Sequence, residues 1–168
     1  SVASRGLGDV YKRQVYNEAE SLQTLITLLE EVEGTRVTLI GDVMLDRYHH
    51  GYANNLNSTA PVPALRVMYS EESPGAAAHI ARGLSSLGLS VDLHSSVGDD
   101  NEGKCIINTL RKDGIDTSGI IEVGGRNTLT KIRFYGSREN LLDQEQILLQ
   151  ADRGPLDELD SNISESLT

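Results

Sequence analysis

The chain has 168 residues, with 15 Lys and Arg against 25 Asp and Glu, a net charge of −10, and hydrophobic residues at 38%. That charge argues against nucleic acid or an anionic membrane surface as the main partner, and the composition is that of a globular chain able to build a core without disulfides, since it holds a single Cys. No run approaches the roughly 18 apolar residues of a membrane span, and no signal-peptide pattern opens the sequence, so a reducing cytoplasm is the expected location.

Residues 1–14 show neither helical nor strand periodicity. They are expected to be disordered, or a leader foreign to the natural protein. Over 15–35, Leu22, Leu25, Ile26, Leu28, Leu29 and Val32 recur at three- and four-residue steps before Gly34, which predicts an amphipathic helix. Arg36-Val-Thr-Leu-Ile-Gly41 is a β-branched apolar run closed by Gly and reads as a buried strand. Between Tyr48 and Pro74 the residues Gly51, Asn54, Asn55, Asn57, Pro61 and Pro63 predict a turn-rich excursion, with Ala64–Tyr69 as an edge strand.

Pro74-Gly75 then opens an Ala-rich helix to Leu87, stopped by Gly88. A strand over 90–97, a helix over 101–112 ended by Asp113-Gly114, and short strands at 120–123, 128–135 and 146–150 follow. In the strand over 128–135, Lys131, Arg133 and Tyr135 alternate with Thr130, Ile132 and Phe134, giving one charged face. After Asp152 the apolar content falls, and residues 153–168 read as a truncated tail. Strands alternating with helices of about 12 residues predict an α/β fold with a parallel sheet covered by helices.

Ligands in such sheets bind beyond the carboxyl ends of the strands. Asp42 and Asp46 fall there, where a carboxylate accepts hydrogen bonds from sugar hydroxyls; the alternative is that Asp42 ends a strand and Asp46 makes a local turn. The small residues of Pro74-Gly75-Ala76-Ala77-Ala78-His79 let a ligand approach a helix start, or serve tight helix-to-sheet packing. Gly98-Asp99-Asp100 reads as a helix cap, the adjacent His49 and His50 as surface residues, and Cys105 as a small core residue. Lys131, Arg133 and Arg138 gather positive charge, either as a solvated face or as partners of a substrate phosphate.

Four blocks in order, Val37-Thr-Leu-Ile-Gly-Asp-Val-Met-Leu-Asp-Arg-Tyr48, Ala60-Pro-Val-Pro63, Pro74-Gly-Ala-Ala-Ala-His79 and Thr128-Leu-Thr-Lys-Ile-Arg133, resemble the PfkB (ribokinase-like) sugar kinases. The match runs over about residues 20–152 and comes nearest to the family's heptose 7-phosphate kinases of ADP-heptose synthesis. The resemblance implies a Rossmann-like ribokinase fold with a small β-sheet lid, residues 36–152 being the N-terminal half of the kinase domain. It implies ATP-dependent phosphorylation of a sugar phosphate, with ATP and Mg²⁺ held mainly by a C-terminal half outside this chain, and the lid sheet as a homodimer surface. Asp46, Gly75, Ala76, His79, Lys131 and Arg138 become the substrate-binding set. Ala76 stands where the family carries a second Gly, His79 where it carries Asn, and Gln150 where it tends to carry Arg. The family's catalytic Asp lies in an Asp-Thr-x-Gly-Ala-Gly-Asp loop, and Asp116-Thr-Ser-Gly119 only begins that way, so no catalytic residue is expected in this chain and the fragment alone is expected to be inactive. Other kinases of the family, acting on ribose, fructose or a nucleoside, and a non-catalytic sugar-binding module are the alternatives.

Overall fold

A computed structural model describes residues 18–137 and 145–155. The elements in chain order are α1 (Glu18–Val32), β1 (Arg36–Ile40), β2 (Val43–Leu56), β3 (Pro63–Ala76), α2 (Ala77–Ser86), β4 (Ser90–Gly98), α3 (Asn101–Lys112), β5 (Ile120–Val123), β6 (Thr130–Ser137) and β7 (Gln146–Arg153). They form two sheets. A three-stranded sheet runs β1-β4-β5, all parallel, and a four-stranded sheet runs β3-β2-β6-β7, with β2 and β6 parallel and the outer pairs antiparallel. The expected α/β core and small β lid are both present. Residues 1–14, Arg138 and the tail beyond 155 lie outside the described residues.

The core sits between the parallel sheet, helices α2 and α3, and the root of β2. Ala78, Ala81, Leu93, Ile106, Leu110 and Leu45 have no exposed surface. Removing side chains of the Leu and Ile class from water contributes about 1.5–3 kcal/mol each. Helix α3 presents Ile106, Ile107 and Leu110 to this core and carries Glu102 in its first turn and Arg111 and Lys112 in its last, the polarity its dipole favours.

Its N-cap is Asp100, as the sequence predicts. One carboxylate oxygen accepts from the Gly103 backbone N–H at 2.8 Å and the Thr128 hydroxyl at 2.6 Å, and the other from the Thr128 backbone N–H at 2.9 Å. Burial pushes the Asp100 pKa up, but the hydrogen bonds from Thr128 and Gly103 outweigh it and leave the carboxyl below its usual range. A depressed folded-state pKa supplies stability above the unfolded value and loses it as pH falls through the folded one. Asp100→Ala is therefore expected to cost about 2 kcal/mol at pH 7. The gap from the parent should narrow below about pH 4, where the unfolded carboxyl protonates. Urea unfolding of both proteins at pH 7 and pH 3 measures it, and an equal gap at the two pH values would contradict the assignment.

Two expectations need correction. The segment from Tyr48 to Pro74 is not a turn-rich excursion. It is most of a long hairpin in which β2 and β3 each run 14 residues, closed by a short loop where the Asn57 N–H meets the Val62 carbonyl at 2.8 Å. The Asn and Gly residues that signal turns are accommodated as register shifts at His50/Gly51 and Tyr52/Asn55. At Gly51 the neighbouring strand comes so close that a Cβ would strike the Arg66 carbonyl, which is why Gly stands there. Nor is β1 buried. Among the described residues it is an edge strand with Ile40 more than half exposed, and the apolar stripe of α1 (Leu22, Leu25, Ile26, Leu28, Leu29) is likewise in the open. No described helix is long and apolar enough to cross a membrane.

Candidate functional site

Strand β2 joins the two parts of the molecule. Its first residues, Val43 and Leu45, are buried in the core, and from Asp46 onward it runs out as the centre of the lid sheet. Because side chains alternate across a strand, burying Leu45 turns Asp46 to the opposite face. The register pairs Asp46 with Lys131, Tyr48 with Arg133 and His50 with Tyr135 on β6, and Asp46 with Ser73 and His50 with Tyr69 on β3. One face of the lid thus carries Asp46, Lys131, Arg133, Tyr48, His50, Tyr69 and Tyr135. Asp46 is neither a strand end nor a turn residue, which removes the local-turn alternative.

An Arg133 Nη1 donates to Asp46 Oδ1 at 2.7 Å and to the Tyr48 hydroxyl at 3.3 Å, and the guanidinium lies 5.4 Å from the Tyr48 ring centre. The bond to Asp46 raises the Arg133 pKa further and keeps it charged. The other carboxylate oxygen of Asp46 occupies the space that a Cβ on Gly75 would need, so only Gly permits this approach. Lys131 is half-buried and forms no ion pair among the described residues. Farther out, the His50 ring stacks between Tyr69 (4.6 Å between centres) and Tyr135 (5.3 Å), and its Nδ1 is 2.7 Å from Glu145. This aromatic strip escapes a reading by turn residues. Its signal, alternation through Tyr48, His50 and Tyr52, becomes visible once the segment is treated as strand.

On the other face, Arg47 bonds Glu72 at 2.6 Å and Glu102 of α3 at 3.2 Å, and Arg153 reaches Glu102 at 3.4 Å. Burial works against the Arg47 charge, but the two carboxylates more than offset it. These pairs tie the lid to the core.

The structure brings Asp46, Gly75 and Lys131 together and sets His79 apart. His79 is exposed on α2, in a surface depression of about 530 Å³ that it shares with Arg82, Ser86 and Asp113. Gly75 and Ala76 are the last residues of β3, and Ala76 is also the N-cap of α2, so the helix begins one residue later than the sequence predicts. A smaller cavity of about 170 Å³ lies at the carboxyl ends of β1 and β4, between Asp42, Ser96, Gly98, Arg126 and Thr128. Asp116-Thr-Ser-Gly119 is a local turn, in which Asp116 accepts from the Ser118 N–H and hydroxyl, both at 2.9 Å. Half-buried Cys105 packs against the core and donates its S–H to Glu72 at 3.4 Å.

Ala76, which stands where the sequence resemblance expects Gly, has φ 52° and ψ −127°. It is the sole non-Gly residue with positive φ among the described residues. Such a conformation costs an L-residue about 1–3 kcal/mol. Ala76→Gly should therefore stabilise the protein by about 1 kcal/mol after the extra chain entropy of Gly is subtracted. Thermal melting reads this directly, and a lower melting temperature would show the backbone to be unstrained there.

Residues 35–162 match the model of the pfkB family of carbohydrate kinases. Among curated proteins, the chain is 36% identical over 110 residues to the bifunctional protein HldE of Magnetococcus marinus, covering 66% of this chain and 23% of that protein. To HldE of Hyphomonas neptunium it is 39% identical over 115 residues, covering 68% and 24%. The chain thus spans about a quarter of the length of these relatives. Among solved structures, Arabidopsis thaliana ribokinase complexed with ribose and ATP superposes with a TM-score of 0.53 at 16% identity, over 71% of this chain and 36% of that one. That likeness bears on the fold.

Proposed function

Because this chain belongs to the pfkB family of carbohydrate kinases, we propose that the protein carrying it transfers the γ-phosphoryl group of ATP to a hydroxyl of a phosphorylated sugar. The sugar is D-glycero-D-manno-heptose 7-phosphate, the product is the 1,7-bisphosphate, and the reaction serves ADP-heptose synthesis for lipopolysaccharide. The observation that carries this reading is Asp46. Its Oδ1 is held by Arg133, and its Oδ2 lies over Gly75 with no hydrogen-bond partner among the described residues. A carboxylate oxygen in that state accepts hydrogen bonds from sugar hydroxyls, each worth about 1.5–3 kcal/mol when the acceptor is charged. Lys131 on the adjoining strand, without an ion pair among the described residues, suits the phosphate of the sugar. The two HldE relatives support the heptose assignment, and the ribokinase likeness supports ATP as donor.

The lid face would close over the sugar and exclude water, which would otherwise compete as acceptor. Asp46 is assigned to binding the hydroxyls, and the group that activates the attacking hydroxyl is assigned, as the family resemblance implies, to a segment outside this chain. For Mg²⁺, no cluster of three or more His, Cys, Asp or Glu positioned to hold a metal occurs among the described residues. The described residues do not form a site for the ion. A homodimer formed through the lid sheet remains part of the proposal.

The test is a phosphorylation assay on the full-length protein with ATP and Mg²⁺ against the heptose phosphate, ribose, fructose and a nucleoside. Preference for the heptose phosphate is the expected result, and turnover confined to one of the others would reassign the substrate. Saturable sugar binding without turnover would favour a non-catalytic sugar-binding module. His79→Asn restores the residue that the family carries there, but because His79 is exposed on α2 apart from Asp46, Gly75 and Lys131 it is expected to leave the order of sugar preference unchanged.

A further inference from the structure

We infer that Arg133 is the positioning residue of the sugar site: it clamps one oxygen of Asp46 so that the other is presented to the sugar, and it leaves Lys131 as the cation for the sugar's phosphate. This rests on the function proposed above and divides the work of two cations that the sequence alone does not separate.

Lys131 and Arg133 are two residues apart on β6, so they share a face, and the strand register sets Lys131 directly beside Asp46. Among the described residues only Arg133 of the two is engaged. Its Nη1 is 2.7 Å from Asp46 Oδ1 and 3.3 Å from the Tyr48 hydroxyl, and its plane lies near the Tyr48 ring. The side chains of the pair are 21% and 18% exposed, so solvent screens them less than a surface pair. A guanidinium engaged in this way has lost much of the free fork with which Arg takes a phosphate in two parallel bonds. It would have to leave Asp46 and Tyr48 to do so. Asp46 is bracketed from the opposite side by Gly75, whose missing Cβ makes the room that Oδ2 occupies. Clamp and cradle together leave the carboxylate one orientation. Lys131 has no competing ion pair among the described residues, and its ammonium is a compact charge on a flexible stem that can follow a phosphate.

The experiment measures calorimetric binding of D-glycero-D-manno-heptose 7-phosphate and of the unphosphorylated heptose to the full-length protein and its variants. Arg133→Met is expected to weaken both sugars by a common factor of about ten, because it acts on the hydroxyl contacts through Asp46. Added to Asp46→Asn it should cost less than about twofold more, as expected of residues acting through one contact. Lys131→Met should cost the phosphorylated sugar about tenfold more than the free sugar. Arg133→Lys, which keeps the charge but loses the fork, should fall between Arg133→Met and the parent for both sugars. A loss in Arg133→Met confined to the phosphorylated sugar, or full additivity with Asp46→Asn, would overturn the assignment. The clamp is also read without sugar, as the coupling between Asp46→Asn and Arg133→Met in urea unfolding, expected at about fivefold or more in the unfolding equilibrium. Absence of coupling overturns the clamp. A parent protein that binds neither sugar while the coupling persists overturns the proposed function and leaves the clamp standing.

Discussion

Asp46→Asn is expected to weaken sugar binding about a hundredfold, since a charged acceptor of two hydroxyl hydrogen bonds becomes a neutral group offering a single acceptor oxygen. The substitution also removes the counter-charge of a partly buried guanidinium, because Arg133 loses its partner at 2.7 Å. The variant should keep its fold, since Asp46 faces out from the strand while Leu45 and Val43 hold the strand in the core. Titration calorimetry on the full-length protein, with circular dichroism as the check on folding, decides the matter. Affinity within about threefold of the parent would remove Asp46 from the site, because even one lost charged hydrogen bond is worth more.

Leu45→Ala is the largest stability loss expected of a single side chain, about 2–5 kcal/mol. Leu45 is fully buried, and its neighbour is the candidate sugar ligand. The cavity left behind would lie at the point where β2 passes from core to lid, so the site should loosen together with the fold. Over a chain of this size the loss corresponds to a melting temperature lower by roughly 5–15 °C. The control is Leu22→Ala, at a residue 59% exposed on α1, expected to change stability by less than about 0.5 kcal/mol. Similar losses in the two variants would mean that α1 packs more tightly than its exposure indicates.

Where one local signal governs, sequence and structure agree closely. The helix over Asn101–Lys112 and the strand over Ile120–Val123 occupy the residues predicted for them. For the helix, a capping Asp, a 3.6-residue apolar period and a closing Asp-Gly all point to one element. The long hairpin shows the opposite case. Asn54 and Asn55 carry turn propensity, but pairing of β2 with β3 holds them in the strand and absorbs the irregularity as a register shift, while Pro61 falls in the closing loop and Pro63 opens β3. The β1 strand has the apolar, β-branched composition of a buried strand, but burial depends on a neighbour, and among the described residues β1 pairs with β4 alone.

The site divides in the same way. Gly75 and Asp46 were visible as residue types at the right kind of position, and Ala76 was visible as an exception whose cost appears in its positive φ. That Arg133 is bound to Asp46 while Lys131 stays unpaired among the described residues could not be read from their shared alternation, because both fall on one face of β6.

By itself, the sequence determined the α/β class, the helices and the short strands, which follow from periodicity and caps within short stretches of chain, the acidic background, and, through the resemblance carried by its motif blocks, the carbohydrate kinase family. Tertiary structure alone decided which cation meets Asp46, where His79 points, and which apolar faces are covered. The first depends on the register of β2 against β6, where a shift of one position would carry every side chain to the other face, and the other two on how the helices pack against the sheets.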